Sequence, residues 1–400
     1  VSLLWMLVER MREGAMRARG WMVVGAGVVL VVCSVLPARY HWFRHDRSRN
    51  YIARDYAYNM LAGVEPDAIV FTNGDNDTYP LWYIQNVEHF RTDVRVANLN
   101  LLNTPWYIKQ LRDEVPRVPI SLTDAEIDNL RPVMLRNRRV ASPADLAIHH
   151  IIQETNWKRP IYFAVTVPQE LWEPYTDHLE MQGMIRLLVP REGTYMMNEY
   201  LMKRSFEDMY EFRGVLMADG GIDDSVYKDE DTRVLFGNFA VASFQLAQKS
   251  SLGKRYGEAV KWVELSRKFD PDLVPAEQFL GIYYMRAGET QRAIDYYTAQ
   301  LEREPRNAMY WIMLASVYEQ VGQLPRALNS LREGSRLVPD ERRLFEYGVR
   351  IAALLGQREM AEDFTKRWLE KHPNDEKFMG MLQEMDQLMR EAREAAETGK

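Results

Sequence analysis

Several columns of residues recur along the C-terminal part of the chain at one fixed step. Ala259, Ala293, Ala327 and Ala361 are each 34 apart, and so are Pro271, Pro305, Pro339 and Pro373. Leu246, Leu280 and Leu314 keep the step, as do Gly288, Gly322 and Gly356, with Tyr284 and Tyr318 in a further column. A period of this length means that one supersecondary unit is stacked several times, because a single copy cannot bury its apolar face alone. Each column has a physical role. Small residues let two antiparallel helices cross closely, as in "QRAIDYY" and "PRALNSL". Glycine supplies the left-handed turn that ends the first helix of a pair. Proline starts the next helix, or closes the second, where no amide hydrogen is needed. Tyr284, Tyr297, Trp311, Tyr318 and Leu331 are the large residues that fill the layers.

The pattern resembles the tetratricopeptide repeat, with about four copies spanning residues 238–374. It departs from that repeat in three places. Gln300 and Trp368 occupy a normally small position, and Ala352 stands where the fourth copy would carry its tyrosine. Residues 375–400 hold an expected capping helix, Glu376 to Ala396, whose Met and Leu stripe reads as core. The resemblance implies a superhelix whose groove takes a peptide or partner domain. An array that only braces a neighbouring domain fits the same residues.

At the other end, "WMVVGAGVVLVVCSVLPA", residues 21–38, carries no charge. It is long enough for a membrane span of about 17–25 apolar residues, and it is the main span expected within residues 1–44. Trp21 in front and Tyr40, Trp42 and Phe43 behind suit an interfacial aromatic belt. A cleaved signal peptide fits poorly, because the residues before Ala38 lack the small-x-small pattern. An acylated Cys33 fits no better, with bulky Val32 preceding it. The opening "VSLLWMLVE" reads as the tail of an earlier span, and the chain as the end of a longer protein. Arg10, Arg12, Arg17 and Arg19 would then form a short cytoplasmic loop and send residues beyond Tyr40 outside. Arg39, Arg44, Arg47 and Arg49 place similar charge on the other flank, so charge alone leaves the orientation open.

Bulk properties exclude several classes. A net charge of −6 argues against nucleic acid as a partner, since phosphate binding needs a positive surface. A single cysteine, Cys33, removes disulfides, Cys-zinc sites and a thiol nucleophile from the soluble part. The 7 histidines form no HExxH pair, no cofactor motif is present, and no Ser/His/Asp constellation supports a hydrolase.

Residues 45–217 alternate between strand-like and helical runs, which predicts an α/β domain, a small Rossmann-like parallel sheet with helices on its faces. Strands are expected at 67–73, 93–100, 160–166 and 183–190, and helices at 53–61, 79–90, 105–114 and 143–154. The proline-bearing stretch 113–145 reads as a long irregular insertion, and 218–237 as the linker into the repeats. In "HDRSRNY", Ser48 reads as the cap of the next helix. The whole is α/β plus all-α: a membrane helix, the sheet domain, then an α-solenoid.

The densest polar knot is "IVFTNGDNDTYPLWYIQ", Ile69 to Gln85. If its first part is a parallel strand, Asn73, Gly74, Asp75, Asn76 and Asp77 emerge at the carboxyl end, where open α/β sheets bind ligands. Asn73, Asp75, Asn76 and Asp77 are therefore the candidate ligand-binding residues, suited to a cation or to hydroxyl groups. A calcium loop fails, because Pro80 occupies its glycine position and no late glutamate follows. Helix capping by Asp77 or Thr78, with tight turns at Asp75 and Asn76, accounts for the same residues.

The stretches "HDRSRNYIARDYAYNML", "FTNGDNDTYPLWYIQNVEHFRTDVRVANLNLLNTPWYIKQL" and "RPIYFAV" carry a resemblance to a membrane family. They are similar to the C-terminal part of bacterial multi-spanning proteins long known only as a domain of unknown function. That family is related to the animal endoplasmic-reticulum O-mannosyltransferases acting on plexin-type receptors. The resemblance implies a polytopic glycosyltransferase of the C superfamily with a lipid-linked sugar donor. It also implies soluble domains facing the periplasm from a bacterial inner membrane, with a glycan or lipid-linked sugar and a protein as partners. The family's catalytic acids sit in a region outside this chain, so no catalytic residue carries over. The alternative expectation is a membrane-anchored repeat adaptor with no catalysis of its own.

Overall fold

A computed structural model of the chain describes residues 2–135, 138–190, 196–376 and 378–380. It forms two units, Val1–Asn238 and Phe239–Lys400.

The first unit opens with helix α1 (Ser2–His45). Within it, Val24–His45 has a mean hydropathy of 1.5 and none of its length is buried. This is one helix long and apolar enough to cross a membrane. The hydroxyl of Ser34 donates to the Leu30 carbonyl at 2.8 Å, which satisfies that polar group inside the helix. The expected loop at Arg10–Arg19 is instead helical. "MREGAMRAR" is rich in Arg, Ala and Met, all strong helix formers that outweigh the lone Gly14, and it contains no proline. Near the end of α1 Phe43 packs edge-on against Tyr227, and just beyond it Arg47 pairs with Asp229 at 2.9 Å. Helix α2 (Ile52–Ala62) is approached by Asn50, whose side chain accepts from the Ile52 amide; Ser48 does not cap it.

The sheet domain runs β1 (Ile69–Thr72), α3 (Asp75–Asn86), β2 (Arg95–Asn98), α4 (Pro105–Asp113), α5 (Asp124–Asp128), β3 (Val133–Met134), β4 (Val140–Ala141) and α6 (Pro143–Thr155). It continues through β5 (Ile161–Ala164), α7 (Gln169–Trp172), β6 (Leu179–Gln182), β7 (Ile185–Leu188), β8 (Met196–Met197) and α8 (Glu199–Arg204). The main sheet has the order β2-β1-β5-β7-β6-β8. β1 is parallel to both β2 and β5, with Val70 opposite Val96 on one side and Tyr162 on the other. All four residues of β1 are buried, and Phe71 stacks on Phe163 at 5.3 Å.

The sheet is mixed, which corrects the expectation of a parallel one. β7 runs antiparallel to both β5 and β6. Only Gly183 and Met184 separate β6 from β7, and so short a link admits only a hairpin. Gly183 sits in the left-handed region at φ 74, as such a turn requires. The stretch 113–145 is also less irregular than expected. It contains α5, held by a capping box between Thr123 and Glu126, and the β3–β4 hairpin.

Helix α9 (Glu230–Leu252) starts inside the expected linker. The helices after it are α10 (Tyr256–Phe269), α11 (Val274–Ala287), α12 (Thr290–Arg303), α13 (Ala308–Gln320), α14 (Leu324–Leu337), α15 (Arg342–Leu354) and α16 (Arg358–Lys371). The repeat columns keep their assigned roles in the second unit. Ala259, Ala293, Ala327 and Ala361 are all fully buried. Gly288, Gly322 and Gly356 take φ values of 79, 73 and 67. After each glycine the next amide reaches back to the first helix of its pair: Glu289 to the Tyr284 carbonyl, Gln323 to Tyr318 and Gln357 to Ala352. These are the reverse bonds of a helix-terminating Schellman motif, repeated at the period of the sequence.

The departures are accommodated by specific contacts. Gln300 is buried and donates to Glu277 at 3.0 Å. The Trp368 indole donates to Asp375 at 3.0 Å, and its ring packs on His372 and on the buried Phe378. The rest of the expected capping helix, beyond residue 380, lies outside the described residues.

Candidate functional site

β1 has β2 on one side and β5 on the other, so the chain leaves its carboxyl end at a topological switch point of the parallel part of the sheet. Gly74, at φ 78 and ψ −178, turns the chain from β1 into α3. No side chain at this end bonds as a cap: Gly74 is the N-cap residue, and Asp75 and Asp77 lie inside the first turn. That corrects the expected capping by Asp77 or Thr78. The φ 78 conformation favours glycine, so the helix begins earlier than a side-chain cap would start it.

Asp77 is buried, at 2% exposure. Its Oδ1 accepts from the Tyr56 hydroxyl at 2.8 Å. Its Oδ2 accepts from the Thr166 hydroxyl and from the Asn73 amide. Burial pushes the Asp77 carboxyl above its usual range, and the donors from Thr166, Tyr56 and Asn73 partly offset this. Burial likewise pushes the Tyr56 phenol well up, reinforced by the Asp77 carboxylate and opposed by Asn238. Beside this group the hydroxyls of Thr72 and Thr78 lie 2.8 Å apart, and Asn98 donates to Thr78 at 2.8 Å.

Above this buried layer is a cleft of about 440 Å³ lined by Asn73, Asp75, Asn76, Asp77, Asn100, Thr166 and Asn238, among others. Asp75 and Asn76 are exposed on its rim. Asn73 is half-buried and donates to the Thr166 carbonyl at 3.3 Å. Pro80 lies inside α3 and has no amide hydrogen for the Asn76 carbonyl four residues earlier. The four candidates therefore gather at one cleft in two layers. Asp77 is an engaged buried group that holds the floor, while Asp75, Asn76 and Asn73 line the cleft with carboxylate and amide groups. Among the described residues no group of three His, Cys, Asp or Glu is placed to hold a metal ion. The rim instead offers donors and acceptors suited to hydroxyl or amine groups.

Sequence reasoning missed Tyr56, Thr166, Asn100 and Asn238. Thr166 had a usable signal: it follows the strand "IYFAV", so it emerges at the same sheet edge as Asn73. Tyr56 had none, because it reaches Asp77 from a different helix.

Comparison with known proteins places these units in context. The family profile of TMEM260-associated domain 2 matches residues 53–136 and 122–204, from α2 to the end of α8. A tetratricopeptide-repeat profile matches residues 278–308. Solved structures similar to the chain include a MamA from Desulfovibrio magneticus RS-1, at 15% identity over 36% of this chain and 87% of that one, with a TM-score of 0.29. They also include a thermophilic tetratricopeptide protein of Thermus thermophilus, at 23% identity over 36% of this chain and 80% of that one, with a TM-score of 0.27. The repeat assignment rests on the 34-residue columns and the profile match; likeness at these scores adds no weight.

Proposed function

We propose that the chain is a membrane-anchored tetratricopeptide scaffold: α1 holds it at a bilayer, the repeat array holds a protein partner, and the sheet domain carries a small ligand site at Asn73–Asp77. The observation that carries this reading is the pairing of an unburied apolar helix with a stack of regular helical hairpins in one chain. Tetratricopeptide arrays generally serve to bind proteins. In the cleft, Asn73, Asp75 and Asn76 contact the ligand and Asp77 keeps them in place.

A second, finer reading is favoured by the match to TMEM260-associated domain 2, from an O-mannosyltransferase-like family. On that reading the chain is the outward-facing C-terminal region of a polytopic membrane glycosyltransferase in a bacterial inner membrane. The soluble units face the periplasm and orient an acceptor protein or glycan beside a catalytic core. In either case the chain by itself has no chemistry. A transfer assay with the full chain, a lipid-linked sugar donor and a protein acceptor is expected to show no turnover. Robust sugar transfer by the chain alone overturns both readings.

A further inference from the structure

We propose that the groove between the C-terminal half of α3 and helix α4 binds a saccharide. This rests on the groove's own lining and not on the scaffold reading.

The groove encloses about 540 Å³, within the range of about 300–1,000 Å³ common for small-ligand pockets. Its lining includes Trp82, Asn86, Arg95, Trp106, Gln110 and Glu114. It lies against β2, the edge strand of the sheet. An added peptide strand is blocked there. The Tyr107 hydroxyl accepts from the Asn98 amide at 3.0 Å and donates to the Val96 carbonyl at 3.5 Å, closing the edge groups.

The polar atoms around the groove are unevenly satisfied. Arg95 forms no ion pair among the described residues. Its Nε is buried without a partner, and its Nη2 makes only a long 3.4 Å bond to the Gln110 carbonyl. Trp106 is 57% exposed, and its indole N–H has no partner among the described residues. Asn86 and Gln110 each spend one of their two amide hydrogens, on the Trp82 carbonyl and on Glu114 Oε2 respectively. Their second amide hydrogens and their side-chain carbonyl oxygens, and Glu114 Oε1, make no bond among the described residues. One cation, one carboxylate and free groups of both kinds surround two indole rings.

A neutral ligand with hydroxyl groups matches this set. Each hydroxyl both donates and accepts, so it meets Arg95 and Trp106 on one hand and Asn86, Gln110 and Glu114 on the other. The apolar face of a pyranose ring packs on an exposed indole, as other flat apolar surfaces do. A proline-rich peptide, the other common guest of tryptophan grooves, offers carbonyl acceptors almost alone, so it would engage the donors but none of the three acceptors.

The test is saturation-transfer NMR on the full chain in a detergent without a sugar headgroup. The probes are the methyl pyranosides of glucose, galactose, mannose and N-acetylglucosamine, with a proline hexamer as control. At least one pyranoside is expected to bind with a Kd of a few mM, roughly the affinity of a single small contact patch. Trp106→Ala should weaken it about tenfold or more, and Glu114→Gln, an exposed change that leaves the fold intact, about threefold. The proposal is overturned if no pyranoside binds at up to about 50 mM, if neither variant alters binding, or if the proline hexamer binds instead. None of these outcomes bears on the membrane or repeat assignments.

Discussion

The Tyr56 hydroxyl, from α2, donates to Asp77 Oδ1 at 2.8 Å beneath the first turn of α3, and both residues are almost completely buried. Removing that donor leaves a buried carboxylate oxygen unmet. Tyr56→Phe is therefore expected to destabilise the sheet domain by about 1–3 kcal/mol, the usual cost of an unsatisfied buried polar group. Faster hydrogen exchange across residues 69–78, with the repeat helices unchanged, is the expected readout.

The raised pKa of Asp77 gives stability a pH dependence of definite sign. Its ordinary value is 3.8, and the folded value lies above that because burial penalises the charged form. The contribution is fully present below pH 3.8, where both states hold the proton, and is lost as pH rises through the folded pKa. Asp77→Asn cannot titrate. The stability of the wild type relative to Asp77→Asn should therefore fall as pH rises above 3.8 and then level off. Hydrogen exchange of residues 69–78, followed from acid to neutral pH in both proteins, tests the direction.

Lys254 occupies the place that glycine fills in the later repeats, 34 residues before Gly288, and takes φ 58. The reverse bond is kept: the Arg255 amide reaches the Ser250 carbonyl at 2.9 Å. A side chain in the left-handed region costs roughly 1–2 kcal/mol, part of which the unfolded-state entropy of glycine offsets. Lys254→Gly should raise the stability of the repeat unit by about 0.5–1 kcal/mol, read as a higher urea midpoint. Gly322→Ala should lower it by a similar amount.

Gly348 is the opposite case, a glycine required by close approach. A Cβ there would meet Phe364 Cε1 at 2.5 Å and Cζ at 2.6 Å, inside a buried helix contact. Overpacking costs about 1–3 kcal/mol and outweighs the gain of about 1 kcal/mol from alanine's helix propensity. Gly348→Ala should lower the urea midpoint of the repeat unit.

The repeats were legible because their information is local and recurs. Each column does one job in every copy, and Gly288, Gly322 and Gly356 end their helices with the same pair of bonds. The sheet was legible in part. β1, β2, β5 and β7 fall in places where strands were expected, β1 and β5 as short apolar runs. β6, "LEMQ", alternates apolar and polar residues but is only four residues long and went unread, and with it the hairpin that reverses β7. Strand direction is set by the length of a connection, and the apolar pattern does not record it. Asp75, Asn76 and Asp77 were found at the strand's end, but that Asp77 turns inward depends on Tyr56 and Thr166, which are distant in sequence.

The central claim is that Val24–His45 lies in a bilayer. Phase partition of the full chain in Triton X-114 tests it most directly, with a Val28→Arg/Val31→Arg double variant alongside. Each arginine costs about 2.5–3.5 kcal/mol at mid-bilayer. The wild type is expected in the detergent-rich phase and the double variant shifted toward the aqueous phase. Recovery of the wild-type chain in the aqueous phase, folded and indistinguishable from the variant, contradicts the account.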